Sequence, residues 1–193
     1  MSKIKVMLKS FVSVMIGNQE QMKLMIPTYY AKDVYSINYK ELYQRNIINL
    51  IFDIDNTILP VNDINVDDRL VKLFINLIHD GFNICIVSNN SIERVEPVAK
   101  KLKVLSLSNA DKPKKEAFDK ALELLEGDHS STVMIGDQML TDIKGANEYG
   151  LSSILVDPLQ NKYDIKTGIN RIIQNIMEIK LKKAKKFIKH KYY

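Results

Sequence analysis

Two aspartates one residue apart, Asp53 and Asp55, stand at the end of the apolar run that begins at Ile47. On an extended chain, side chains two positions apart point the same way. Carboxylates placed so in water-poor surroundings repel each other unless a cation lies between them or one is protonated. Asp137, at the end of the run from Thr132 to Gly136, can add a third carboxylate. A hard divalent ion with oxygen ligands answers that repulsion. Few carboxylates, open positions and a phosphate ligand are what magnesium prefers. Lys112 supplies positive charge opposite the metal, and Ser88 and Thr57 supply hydroxyl donors. Together these groups are suited to hold a phosphoryl group whose oxygens are neutralised on two sides.

Such a site needs a scaffold that brings residues 53, 88, 112 and 137 to one place. The pattern predicts strands over Ile47 to Ile54, Asn83 to Ser88, Val104 to Leu107, Thr132 to Gly136 and Ser152 to Val156. Between them, apolar residues at 70, 71, 73, 74, 77 and 78 have helical spacing over Val66 to His79, with Gly81 as the stop. Ser91 can cap a helix to about Leu102, Pro113 suits the first turn of one that runs to Leu125 and is closed by Gly127, and another spans about Leu140 to Tyr149. Near-continuous Ile, Leu and Val runs separated by helices are the mark of buried parallel strands. The expected fold is therefore α/β: a three-layer Rossmann-like sandwich around a five-stranded parallel sheet. In such sheets the ligand sits at the carboxyl ends of the strands, and the polar residues above all fall there.

These residues also match a family. Asp53-Ile54-Asp55-Asn56-Thr57 resembles the first motif of the haloacid dehalogenase superfamily, Ser88 the second, Lys112 before Pro113 the third, and Gly136-Asp137-Gln138-Met139-Leu140-Thr141-Asp142 the fourth. All four occur in order, over about residues 45 to 160. The resemblance implies a phosphatase in which Asp53 attacks phosphorus and forms an aspartyl-phosphate. Asp55 would protonate the leaving oxygen and later activate water, with its backbone carbonyl on the metal. Asp137 would be the main further ligand of Mg2+, and Asp142 a supporting acid. Ser88 and Lys112, helped by Asn89 and Thr57, would bind the phosphoryl group.

The superfamily places its cap domains between the first and second motifs or between the second and third. Asp53 to Ser88 and Ser88 to Lys112 leave no room for one beyond the expected strands and helices. A capless site is open, which implies a large or surface-presented substrate. Met25 to Ile37, with the motifs, resembles the bacterial capless phosphatases related to phosphatidylglycerophosphate phosphatase. The chain departs from them at Val61-Asn62, where an aromatic or acidic residue is expected. That likeness implies a lipid phosphate substrate. The alternatives are a soluble or macromolecular phosphoester, or a non-enzymatic module that binds nucleic acid or the ribosome.

Charge and composition divide the 193 residues further. The net charge of +5 comes from the end of the chain. From Lys180 onward there are seven Lys and no acid, and the remainder has 21 basic against 23 acidic residues. A uniformly basic nucleic-acid-binding domain is not indicated. The expected organisation is an N-terminal segment over 1–45, the catalytic core over 46–165 and a basic helix or tail over 166–193. Ile4, Met7, Leu8, Phe11 and Met15 share one helical face. That helix either packs on the domain or, with the basic tail, lies against an anionic membrane; a solvated or nucleic-acid-binding tail is the other reading. The single Cys85, in an apolar run, is expected to be a buried thiol. With no disulfide framework, no 18-residue apolar stretch and no cleavage site after the N-terminal apolar run, the expected location is cytoplasmic, or peripheral on the inner face of the membrane.

Overall fold

The computed structural model describes residues 18–160 together with Val12 and, in a C-terminal helical stretch, residues 174–176, 178, 179 and 181. The N-terminal amphipathic helix expected around Ile4 to Met15 and the lysines beyond Leu181 lie outside the described residues, apart from Val12.

A parallel sheet forms because its strands are apolar on both sides. In β2 (Asn49–Phe52), β3 (Asn83–Val87) and β5 (Thr132–Gly136) successive residues alternate between two cores. Leu50, Phe52, Ile84, Ile86, Val133 and Ile135 face one, and Ile51, Cys85, Val87 and Met134 face the other. Strands buried on both faces read as unbroken apolar runs, as these do. With β1 (Tyr29–Ala31), β4 (Leu105–Leu107) and β6 (Ser152–Val156) the order is β1-β6-β5-β2-β3-β4, and every neighbouring pair is parallel.

The sheet thus has six strands where the sequence predicts five. The additional one, β1, pairs with β6 at the edge, Tyr29 opposite Ile154 and Ala31 opposite Val156. It is three residues long and follows Pro27, so it carries neither the length nor the alternation that marks a strand in sequence.

Two short helices, α1 (Gln19–Lys23) and α2 (Tyr39–Gln44), lie on either side of β1 in the chain, and longer helices cover both faces of the sheet. On the first, α3 (Asp68–His79) buries Leu70, Phe74 and Leu77, and α4 (Ile92–Leu102) buries Val95, Val98 and Leu102. The start of α3 is fixed by Asp67, whose side chain accepts from the Leu70 amide at 2.7 Å. Ser91 precedes α4 but accepts no cap hydrogen bond; its hydroxyl instead donates to Glu93 and holds that carboxyl below its usual value. On the second face lie α5 (Lys115–Leu125) and α6 (Lys144–Tyr149), packed through Ala117, Phe118, Ala121, Leu122 and Ala146. The helix expected from Leu140 begins as a π-helical turn over Met139–Ile143 before α6 takes over. A third cluster joins that turn to both flanking segments: Met22, Met25, Tyr30, Met139, Leu140, Ile143, Leu155 and Leu181. No helix among the described residues is long and apolar enough to cross a membrane.

Chain order reverses at β2. From there the chain moves outward through β3 and β4, then returns to β5 on the other side. The gap between the carboxyl ends of β2 and β5 is a topological switch point, where open α/β sheets bind ligands.

Candidate active site

Asp53 stands at that switch point. Its amide donates to Ile135 O at 3.0 Å, which sets it beside Gly136 and Asp137 at the end of β5. Asp53, Asp137 and Asp142 are all buried, and one carboxylate oxygen of each lies within 4.8 Å of the others. Gly136 is required by this convergence, because a Cβ there would collide with the Asp142 carboxylate.

Lys112 enters the cluster from the loop after β4. At 1% exposure it is no surface lysine, and its ammonium lies 2.8 Å from Asp53 Oδ1 and 2.8 Å from Asp142 Oδ1. Burial pulls its pKa down, but the two carboxylates outweigh burial and hold it above the ordinary lysine value. Asp53 behaves differently. Burial pushes its carboxyl up to about 8; Lys112 opposes the rise, while Asp142 and Asp137 add to it. The cluster holds more negative charge than Lys112 neutralises.

Thr57 and Ser88 are the hydroxyl side chains buried at the same edge of the sheet. Thr57 Oγ1 sits 3.5 Å from Asp53 Oδ2 and 3.5 Å from Asp137 Oδ1. It is placed by a tight turn in which Asn56 adopts a left-handed φ of 63° and the amides of Thr57, Ile58 and Leu59 all point at Ile54 O. Ser88 is buried at the end of β3, and its Oγ accepts from the Asn90 amide at 3.2 Å.

Asn89 faces the Lys112 backbone. Its Oδ1 accepts from the Lys112 amide at 2.6 Å, and its Nδ2 donates to the Lys112 carbonyl at 3.0 Å. The loops that carry Ser88 and Lys112 are thereby stitched together, with Asn109 N to Asn90 O at 2.7 Å and Ala110 N to Ser88 O at 3.0 Å alongside.

Asp55 takes a different course from Asp53. β2 ends at Phe52, so the alternation of a strand does not extend to both acids. The Asp55 carboxylate accepts from Arg94 Nη2 at 2.9 Å and from the Asn90 side chain, outside the group of three acids. Arg94 also donates to Pro60 O at 3.4 Å, while its Nε and Nη1 are buried without a hydrogen-bond partner among the described residues. Arg94 does not stand out in sequence: an arginine in the first turns of a helix reads as solvated surface.

The donor set is all oxygen, deeply buried and short of positive charge, which fits a divalent metal of the hard class. Asp53 and Asp137 would hold it, with Asp142 beside them.

Residues 50–110 match the family described as haloacid dehalogenase-like hydrolase, and residues 109–163 the one described as HAD-hydrolase-like. The chain is 33% identical over 152 residues to the Bacillus subtilis (strain 168) protein Probable phosphatase YqeG, a match over 79% of this chain and 88% of that one. The chain belongs to the haloacid dehalogenase-like hydrolases. Within the family it is a phosphoric monoester hydrolase. Solved structures with a similar fold include an uncharacterized protein from Listeria monocytogenes serotype 4b, 21% identical, with a TM-score of 0.47 over 60% of this chain and 84% of that one. Another is the cobalt-bound deoxy-D-mannose-octulosonate 8-phosphate phosphatase of Haemophilus influenzae, 13% identical, with a TM-score of 0.45 over 72% of this chain and 86% of that one.

Proposed function

We propose that the chain is a magnesium-dependent phosphomonoesterase that works through an aspartyl-phosphate on Asp53, and that its substrate is a lipid phosphate such as phosphatidylglycerophosphate. The observation that carries the chemistry is the Asp53 carboxylate at the switch point, 2.8 Å from the Lys112 ammonium and beside Asp137.

A carboxylate oxygen of Asp53 forms the new bond to phosphorus as the bond to the leaving oxygen breaks, and Asp55 gives that oxygen a proton. Water then attacks phosphorus, passes a proton back to Asp55, and Asp53 is released with inorganic phosphate. Lys112 and the Ser88 hydroxyl orient the phosphoryl oxygens and stabilise the charge that develops on them. Asn89 acts one step back, through the Lys112 backbone. Asp53, Asp137 and Asp142 would hold Mg2+, which would supply the positive charge that keeps Asp53 ionised at neutral pH and offsets the phosphoryl oxygens. Asp55 reaches the leaving oxygen by exchanging its contact with Arg94.

Two features favour a lipid substrate. Between Asp53 and Ser88 the chain forms one helix and one strand, and likewise between Ser88 and Lys112, which fits an open, capless site. The lysine-rich end of the sequence suits attraction to anionic headgroups on the inner face of a membrane. The deciding assay is phosphate release from phosphatidylglycerophosphate in vesicles against a panel of soluble phosphoesters, each with magnesium and with chelator. Preference for a soluble ester refutes the lipid assignment; turnover unaffected by chelator refutes the metal.

A further inference from the structure

Gln174 lies beyond every motif residue, yet it touches the turn that carries two of them. Its Nε2 donates to the Asp137 carbonyl at 3.2 Å, and its Oε1 accepts from the Met139 amide at 3.1 Å. One carboxamide thus spans the Asp137-Gln138-Met139 backbone as a neighbouring strand would. The second Nε2 hydrogen serves Glu178 Oε1 at 3.3 Å, and both side chains are buried.

From the other side, the Gln138 amide donates to Asp142 Oδ2 at 3.1 Å. The peptide planes between Asp137 and Met139 are therefore held on the inside by an acid of the cluster and on the outside by Gln174. Gln174, Glu178 and Leu181 fall on one helical face. Leu181 is fully buried in the cluster with Met139, Leu140 and Ile143, three of the five residues of the π-helical turn. The C-terminal helical stretch is packed where it contacts the active-site loop.

We infer that Gln174 is a positioning residue that fixes the backbone of the Asp137 loop and thereby sets the affinity of the site for its divalent metal; this rests on the metal reading above. Groups that orient metal ligands without touching the ion typically change affinity by about 10- to 100-fold when removed. The carbonyl and amide that Gln174 satisfies are buried, so the loop relaxes when they are left alone. Relaxation moves the Asp137 carboxylate relative to Asp53.

The experiment is a magnesium titration of the metal-free, full-length protein followed by thermal unfolding, with the magnesium requirement for aryl phosphate turnover measured in parallel. Gln174→Met keeps the side-chain volume and removes both hydrogen bonds. Gln174→Glu keeps the acceptor for Met139 and removes the donor to Asp137. Each should raise the magnesium concentration for half-maximal stabilisation by about tenfold or more. Leu77→Ala, in the core on the opposite face of the sheet, is the control: it lowers the melting temperature and leaves the half-effective magnesium concentration where it was. A wild-type protein that responds to magnesium, with Gln174 variants that respond at the same concentration, overturns the positioning role alone. A wild-type protein with no magnesium response overturns the metal site itself and the positioning role with it.

Discussion

Replacing Asp53 with asparagine should destroy turnover and at the same time stabilise the metal-free protein. The Asp53 carboxyl is raised from 3.8 to about 8, chiefly by burial. A group whose folded pKa exceeds its unfolded value costs nothing below about pH 4, where both states hold the proton, and costs progressively more as pH rises towards 8. At about pH 7 the unfolded chain carries Asp53 ionised and the folded protein must take up a proton. A gap of roughly 3 pH units makes that cost ~4 kcal/mol. Asparagine avoids it. The asparagine carbonyl still accepts from the Lys112 ammonium, as the protonated carboxyl does. The net gain is then ~3–4 kcal/mol, a rise in melting temperature of roughly 6–16 °C for a chain of this size. The assay is thermal unfolding of wild type and Asp53→Asn in chelator, at intervals from about pH 4.5 to 8. The difference should be near zero at the acid end and grow with pH. Saturating magnesium should narrow or reverse it, because the metal stabilises ionised Asp53. The same variant should lose about 10⁴-fold or more in turnover. A variant that melts below wild type near neutral pH, or a difference that does not change with pH, would refute the charge imbalance argued for the cluster.

Three further outcomes are expected. Lys112→Met leaves Asp53 and Asp142 buried without their shared cation; stability should fall by about 3–5 kcal/mol in the absence of metal, read by denaturant unfolding, and phosphate release should be lost. Arg94→Ala frees the Asp55 carboxylate, and steady-state kinetics on an aryl phosphate should show turnover lowered by roughly 10-fold, with a much smaller change in KM. Deleting Lys182 onward removes six lysines; binding to anionic vesicles in co-sedimentation should weaken, the more so at low salt, while aryl phosphatase activity is retained.

Much of the scaffold and most of the site were legible in the sequence because both rest on local signals. Ile51, Cys85 and Met134 stand among apolar neighbours on both sides, and that is how a strand buried on two faces must look. Asp53, Ser88, Lys112 and Asp137 follow such runs; the structure gathers Asp53, Lys112 and Asp137 into one cluster, and Ser88 stands at the end of the strand beside β2. Other features depend on contacts between distant segments. The edge strand at Tyr29–Ala31 exists through its pairing with β6, and three residues leave no period to read. The separate course of Asp55 follows from the end of β2 at Phe52 and the turn at Asn56, where the alternation that places Asp53 and Asp55 on one side no longer holds. Arg94 looks like any helix arginine until the fold sets it against Asp55. Gln174 is an amide in a segment whose lysines suggest an appendage, and its role depends on a contact 37 positions away.

The contact between Gln174 and the Asp137 loop also orders events during synthesis. The ribosome finishes Asp142, the last acid of the cluster, 32 residues before it reaches Gln174. At about 5–20 residues per second, roughly 2–6 s separate the two. During that interval the sheet can form with every acid present but without the carboxamide that spans Asp137 to Met139. A nascent chain then has Asp53 in place before the backbone of the Asp137 loop is fixed. On the positioning role inferred for Gln174, completion of the C-terminal stretch gives the site its full hold on the metal.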